Sequence, residues 1–368
     1  MNARSFLPGS ILSAVKQEIR FCKSFDGARI AYAITGEGPP LVKAPHWLTH
    51  LEYEAESPIW APWIQELSRT HTLIRMDARG CGLSERDAEF SFDHSVNDLE
   101  AVIDAAGLDC TPVFGHSQGA AIAIEYAARH PQRVSHLVLL GSYTQGGRKR
   151  GLPPERLAEQ EAVLKLVEAG WGRENPTYRD MFSMQFAPTA TREQLNSFSE
   201  LQRRSCSPQN AVRLIRALGL IDVTKSATRA RCPTLILHGR RDRRVDFARG
   251  VEVASLIPGA RLIPLETENH ILVPHDPAYG RFFEELRAFL PGSRTPTMLK
   301  GLTSREGEIV ELIARGMDNT QIATRLGMSE KTVRNHITRI FDKLGVESRA
   351  QAIVLAREAG LGRESRLS

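Results

Sequence analysis

Apolar positions along the chain switch between two periods. From Ile19 to Ile34 the sequence reads as two strands joined at Asp26-Gly27, and Pro40–Ala44 and Thr72–Met76 are short apolar runs of the buried-strand type. Between Asp93 and Ala106 the period lengthens: Val96, Leu99, Val102 and Ile103 recur at three- and four-residue steps, which predicts a helix. Thr111–Phe114, a helical stretch from about Gln118 to Arg129, and Leu137–Leu140 repeat the alternation. Strand and helix in turn predict a parallel sheet flanked by helices.

The alternation lapses from about residue 146 to 228. Helical segments there carry Trp171, Met181, Phe182, Met184, Phe186 and Phe198 and read as an inserted helical cap, whose aromatic side chains either line a ligand pocket or fill a core. Strand patterning resumes at Thr234–Leu237 and Arg261–Leu265, and a helix ends near Leu290. Pro291-Gly292-Ser293-Arg294-Thr295-Pro296 is dense in turn and small polar residues, so residues 291–298 are expected to be a linker between residues 1–290 and 299–368.

Beyond the linker the chain is helical throughout. Thr303-Ser304-Arg305-Glu306 is a capping box, in which the Thr303 hydroxyl and the Glu306 carboxylate each satisfy the other's free backbone amide. Gly316 ends this first helix, Asn319 is placed to cap a second, and Gly327 stops the second just before Ser329 caps a third. In the third helix Val333, Ile337, Ile340 and Leu344 commit one face to a core, leaving Arg334, Asn335, Thr338 and Arg339 outside. Two short helices joined by a glycine-containing turn are a helix-turn-helix candidate.

Composition narrows the class. Of 368 residues 42% are hydrophobic and 25% charged, which excludes disordered and collagen-like chains. The net charge is +5; residues 297–368 hold 12 basic and 9 acidic side chains, so the basic surplus concentrates in the C-terminal fifth and favours a polyanionic partner there. Five cysteines, an odd number at wide spacing without a Cys-x-x-Cys pair, read as reduced thiols of a cytoplasmic protein. Pro8, Gly9, Ser10 and Ser13 break the N-terminal apolar stretches, so no signal peptide is expected; no membrane span, metal site or cofactor is expected either.

The chemistry concentrates at Gly115-His116-Ser117-Gln118-Gly119, between an expected strand and an expected helix. There the glycines let the helix return close to the strand while Ser117 sits in a tight turn with its hydroxyl projecting. A serine hydroxyl needs a histidine base oriented by a carboxylate. Asp242 follows one strand and His270 follows the last, giving the chain order Ser, Asp, His; His275 is a rival base, and His116, Cys81 and Cys110 read as packing residues.

These motifs, together with Asp77-Ala78-Arg79-Gly80-Cys81-Gly82-Leu83-Ser84, resemble the α/β-hydrolases over roughly residues 19–290. The resemblance implies an α/β-hydrolase fold with a helical cap, a catalytic set of Ser117, Asp242 and His270, and an oxyanion hole from the backbone N–H groups of Gln118 and Trp47. One departure stands out: where the family carries His-Gly after its third strand, this chain has Pro45-His46 before Trp47, and a misaimed Trp47 amide would cost about 100- to 1,000-fold in rate.

Leu302-Thr303-Ser304-Arg305-Glu306, Gly316–Ala323, Ser329–His336 and Lys343-Leu344-Gly345-Val346 resemble the LuxR-type DNA-binding domain over nearly all of residues 299–360. The fold expected is therefore α/β, followed by a small all-α helix-turn-helix domain. By that resemblance the third helix enters the major groove of double-stranded DNA, and a fourth helix, about Ser348–Ala359, pairs two subunits into a homodimer. Arg334, Asn335, Thr338 and Arg339 would face base edges, while Thr320, Lys331, Thr332, His336 and Lys343 complete the contacts, chiefly to phosphates. The combination implies a transcriptional regulator whose hydrolase-like domain senses, and can hydrolyse, a small molecule. The alternative is a working serine hydrolase of esterase or lactonase type, tethered or regulated by its DNA-binding domain.

Overall fold

The computed structural model describes residues 16–171, 182–290, 301–358 and 361, so Met181 and the whole of the linker expected at 291–298 lie outside the described residues. The chain divides into two compact units at Leu290/Pro291.

In the first unit an eight-stranded sheet runs in the order β1-β2-β4-β3-β5-β6-β7-β8: β1 Glu18–Lys23, β2 Arg29–Thr35, β3 Pro40–Lys43, β4 Thr72–Met76, β5 Thr111–His116, β6 Val134–Leu140, β7 Thr234–Gly239 and β8 Arg261–Leu265. β1/β2 and β2/β4 pair antiparallel, and every later pair is parallel. The central parallel strands β5 and β7 are buried on both faces, which is why their sequences read as continuous apolar runs instead of alternating ones, whereas the edge strand β8 is only partly covered.

Helices cover both faces. On one side α1 (Trp60–Ser68) and α8 (Pro277–Phe289) enclose a core in which Trp63 stacks on Phe114 at 6.1 Å and lies 4.9 Å from Phe282 and 5.2 Å from Phe283. On the other, α2 (Phe92–Ala105), α3 (Gln118–Arg129) and α7 (Phe247–Leu256) bury Val96, Leu99, Ile103, Tyr126 and Val253. α1 and α7 have no counterpart in the sequence reading. Pro62 falls inside α1, but in its first turn, where a missing N–H breaks no helical bond.

Between β6 and β7 lie the cap helices α4 (Pro154–Gly170), α5 (Arg192–Ser205) and α6 (Pro208–Gly219). Trp171, Phe182, Phe186 and Phe198 are buried against the sheet's carboxyl end, whereas Met184 is exposed. No helix among the described residues is long and apolar enough to cross a membrane.

The second unit consists of α9 (Ser304–Ala314), α10 (Asn319–Leu326), α11 (Glu330–Leu344) and α12 (Arg349–Glu358) around Ile309, Ile313, Ile322, Val333, Ile337 and Ile340. The Thr303/Glu306 capping box is formed. The second helix differs from expectation at its start: Asp318, not Asn319, is the cap, because its carboxylate accepts the Gln321 amide at 2.8 Å while Gln321 reaches back to the Asp318 N–H. Gly327 and Gly345 close α10 and α11 at positive φ of 62° and 64°, which glycine adopts without steric cost.

Candidate functional site

β5 runs straight into α3 through Ser117, whose φ of 56° and ψ of −120° are strained for a residue with a side chain. The turn is held from both sides. The Ser117 amide donates to Leu140 O on β6 at 2.9 Å, and a Cβ on Gly115 would lie 2.5 Å from Ala120 Cα, so only glycine lets α3 fold back over the strand. Gly119 is as tight against the neighbouring loop, with its Cβ position 2.9 Å from Pro45 O. That contact sets the Pro45-His46-Trp47 segment beside the first amides of α3.

Asp242 and His270 come from separate loops, after β7 and after β8. His270 Nδ1 and Asp242 Oδ2 are 2.7 Å apart, and both side chains are almost fully buried. The other carboxylate oxygen accepts the amides of Arg244 and Val245 at 2.8 and 2.9 Å. Burial opposes the Asp242 charge, yet His270 and these amides outweigh it and hold the carboxyl below its usual range.

His116, which precedes Ser117, and Gly141 on the adjoining β6 loop both locate His270. His116 Nε2 bonds the His270 carbonyl at 3.0 Å, and Gly141, next to the Leu140 that holds Ser117, would put a Cβ 2.7 Å from His270 Cε1. The outer His270 nitrogen, Nε2, is buried without a hydrogen-bond partner. An imidazole with Nδ1 committed to a carboxylate and Nε2 open is in the tautomer a general base needs. His275 is elsewhere: its Nε2 meets Thr189 O at 3.0 Å on the surface.

Trp47 is buried, its ring against Trp171 at 5.9 Å and Phe182 at 5.8 Å from the cap segment. Leu48, immediately after it, has φ 57°, and with Ser117 makes up the non-glycine residues at positive φ among those described. The two strained residues thus flank the backbone amides of Trp47 and Gln118. Gln118 is buried at the start of α3, and its side-chain oxygen has no partner.

Behind the loop sits a charged group that the sequence reading missed. Lys43, His46, Glu54 and Arg75 are all buried; Lys43 Nζ lies 2.6 Å from His46 Nδ1, and Arg75 pairs with Glu54 at 2.7 Å. Burial lowers Lys43 to about 8 against partial support from Glu54, and keeps His46 neutral. Each residue alone looks like an ordinary polar position, so only three-dimensional proximity reveals the cluster. Among the described residues no group of three or more metal-ligating side chains occurs. Cys81, Cys206 and Cys232 are buried free thiols, but Cys110, expected to pack, is exposed.

In the second unit α11 buries Val333, Ile337 and Ile340 and exposes Lys331, Thr332, Arg334, Asn335, Thr338 and Arg339. Arg334 meets Glu330 at 3.0 Å, and Thr320 Oγ1 reaches the same carboxylate from α10 at 3.4 Å. His336 is half-buried, its Nδ1 without a partner. Lys343 stands apart from that face's open cations: its amine bonds Glu306 of the capping box at 2.6 Å.

The chain belongs to the α/β-hydrolase fold family, which matches residues 53–277. Its residues 300–356 match the bacterial regulatory proteins of the luxR family, so a LuxR-type DNA-binding domain is joined to an α/β-hydrolase domain. The chain is 30% identical over 254 residues to the AB hydrolase superfamily protein YisY of Bacillus subtilis, covering 68% of this chain and 88% of that one. Its C-terminal part is 47% identical over 60 residues to the DNA-binding transcriptional activator DevR/DosR of Mycobacterium tuberculosis, 16% of this chain and 28% of the relative. Among solved structures, a hydrolase from Pseudomonas aeruginosa PA01 superposes with a TM-score of 0.61 at 23% identity, over 74% of this chain and 98% of its own, a likeness of fold. The esterase RhEst1 from Rhodococcus sp. ECU1013 does so with a TM-score of 0.59 at 26% identity, again over 74% and 98%.

Proposed function

We propose that the protein is a transcriptional regulator whose α/β-hydrolase domain binds a small molecule at Ser117 and whose C-terminal helices read a DNA operator as a homodimer. The observation that carries this reading is the union in one chain of a capped, reactive-type serine site with a helix-turn-helix that exposes Arg334, Asn335 and Arg339 on one face. A ligand changes DNA affinity only by binding two states of the protein unequally, and the cap aromatics against Trp47 are where such a difference would arise.

The 2.7 Å His270–Asp242 contact favours a second reading, in which the same site turns over an ester or lactone. Ser117 Oγ would attack the carbonyl, His270 Nε2 would take the hydroxyl proton and give it to the departing alkoxide, and Asp242 would stabilise the imidazolium; a water deprotonated by His270 would then attack the acyl-serine, releasing the acid and returning the proton to Ser117. The amides of Gln118 and Trp47 would hold the oxyanion.

Ser117→Ala separates the two. Esters and lactones are first screened for a rise in melting temperature, since a ligand that binds the folded state alone stabilises it by mass action. DNA fragments retained by the full chain are then titrated with and without the stabilising compound. A sensor keeps its DNA response in Ser117→Ala, whereas an enzyme loses turnover of the compound. Failure of the full chain to retain any duplex at low salt overturns the regulator reading.

A further inference from the structure

The segment Arg240-Arg241-Asp242-Arg243-Arg244 carries four arginines on either side of Asp242 in sequence, and three of them are spoken for. Arg240 and Arg241 pair with Glu266, at 2.8 and 3.8 Å, and Arg243 pairs with Glu268 at 2.8 Å. All three pairs lie on the surface. Arg244 is exposed as well but differs in its partners: it makes no ion pair with any described residue, and its guanidinium lies 5.2 Å over the ring of Phe186 in the cap segment. That ring is 6.0 Å from the His270 imidazole, and the Phe186 carbonyl accepts the His270 and Ile271 amides at 2.8 Å. Arg244 and His270 therefore both contact Phe186, which places Arg244 on the cap side of the site with one ring between it and His270.

A second guanidinium joins it. Arg150, at the start of the cap, lies 5.5 Å over Tyr143 and spends Nε on the Gln145 carbonyl at 2.8 Å. Arg150 and Arg244 feel each other's charge, and Arg249 repels Arg150 as well. The acidic groups in this neighbourhood are committed elsewhere: Glu252 takes Arg249 at 2.8 Å and the Thr144 hydroxyl at 2.7 Å, and Asp242 holds His270. Among the described residues Asp242 and Glu252 are the carboxylates that act on these guanidinium groups, and each is already engaged, so part of the positive charge is left for an arriving anion. A guanidinium with both faces of its fork free matches a carboxylate in geometry as well as in charge.

We propose that Arg244, supported by Arg150, is an anion subsite that takes the free carboxylate of a small ester- or lactone-type ligand whose carbonyl lies at Ser117. The inference rests on the reading of this domain as a small-molecule site and narrows its ligand to the anionic class. The subsite is noncovalent, and Arg244 sets specificity without touching the reacting bond.

The test uses the full chain and two esters of matched length, 4-nitrophenyl hemisuccinate and 4-nitrophenyl butyrate, at one ionic strength so that screening is constant. Wild type is expected to favour the hemisuccinate in kcat/KM. Arg244→Gln should lower the ratio of the two kcat/KM values by roughly tenfold or more, mostly through KM, as expected for loss of one charge-assisted hydrogen bond. Arg244→Lys should restore part of the ratio, and Arg243→Gln, which removes a surface pair with Glu268, should leave it in place. An unchanged ratio in Arg244→Gln, or an equal fall in Arg243→Gln, overturns the proposal. If wild type turns over neither ester, the hydrolase reading fails by itself, and the subsite is decided by melting temperature with succinate against succinamide. A rise with succinate that disappears in Arg244→Gln upholds it, and no rise in wild type overturns it.

Discussion

The buried Lys43 ammonium donates to Nδ1 of His46 across 2.6 Å, which fixes the ring of the residue preceding Trp47. Trp60 packs over that ring at 4.3 Å, and Glu54, Arg75 and His116 are the charged or titratable groups that face the pair. The histidine is thus held, through an ion–ring contact, in the loop that leads to the Trp47 amide.

This arrangement has a pH signature. Burial holds Lys43 at about 8 in the folded protein, against an ordinary value of 10.5. Between those values the unfolded chain binds more protons than the folded one, so the Lys43 contribution to stability rises with pH across the window. Lys43→Met, which cannot titrate, is expected to be more stable relative to wild type at pH 7 than at pH 9.5, read as the gap between urea midpoints. A gap that is constant from pH 7 to 9.5 would show that burial does not lower Lys43 and that it keeps its proton in the fold as readily as in the unfolded chain.

Gly141 is required by His270. Its φ is 57°, and a Cβ there would meet His270 Cε1 at 2.7 Å and Nδ1 at 3.0 Å, with Asp242 behind at 3.7 Å. Gly141→Ala should displace the imidazole from its place beside Asp242 while leaving the rest of the fold intact. A displacement of that kind costs on the order of 100-fold in rate. The measurement is the labelling rate of Ser117 by a serine-directed phosphonate; His270→Ala should abolish labelling, and Gly141→Ala labelling at the wild-type rate would mean that His270 does not act on Ser117.

Much of this site was legible in the sequence for a local reason. Gly115, Ser117 and Gly119 act within one turn, so their spacing carries the geometry, and the strands flanking them are apolar runs with few rivals as an explanation. Asp242 and His270 were legible through their positions after β7 and β8, together with family resemblance, because nothing local marks which of several carboxylates and histidines will meet. The Lys43–His46–Glu54–Arg75 cluster was not legible, since four polar residues from different elements become remarkable only when burial removes water from all of them. α1 was hidden by Pro62, and the Asp318 cap by an adjacent asparagine of equal capping strength.

Lys343 is expected to serve the fold of the second unit before it serves DNA. Its amine meets Glu306 at 2.6 Å, and this bond, with the Thr303 amide, lowers the Glu306 carboxyl to about 2. A carboxylate lowered on folding stabilises above its unfolded value, and that stabilisation is lost as pH falls through about 4.5 toward 2. Lys343→Ala and Glu306→Gln should each lower the melting temperature at pH 7, and their deficit against wild type should shrink below pH 4. Equal melting temperatures at pH 7 would return Lys343 to the free surface and to a role on phosphate.

Arg334 and Lys331 are expected to divide DNA recognition between them. Both are exposed on α11 opposite Val333, Ile337 and Ile340, but Arg334 is in the middle turns, where a groove-bound helix meets base edges, and Lys331 is in the first turn, near the passing backbone. Arg334 must leave Glu330, now at 3.0 Å, to reach a base, so the free protein holds the side chain extended along the helix face. Arg334→Ala should cost about 1–3 kcal/mol on a selected duplex and much less on a scrambled one, relaxing preference at one position. Lys331→Ala should weaken both duplexes alike and reduce the log–log salt slope by roughly 0.9, the share of one phosphate contact. Affinities of the full chain for both duplexes across a salt series measure all of these quantities. If Lys331→Ala changes the ratio between the duplexes while Arg334→Ala changes only the salt slope, the two assignments are reversed; if neither substitution alters binding, α11 presents a solvated face and something else in the protein holds the DNA.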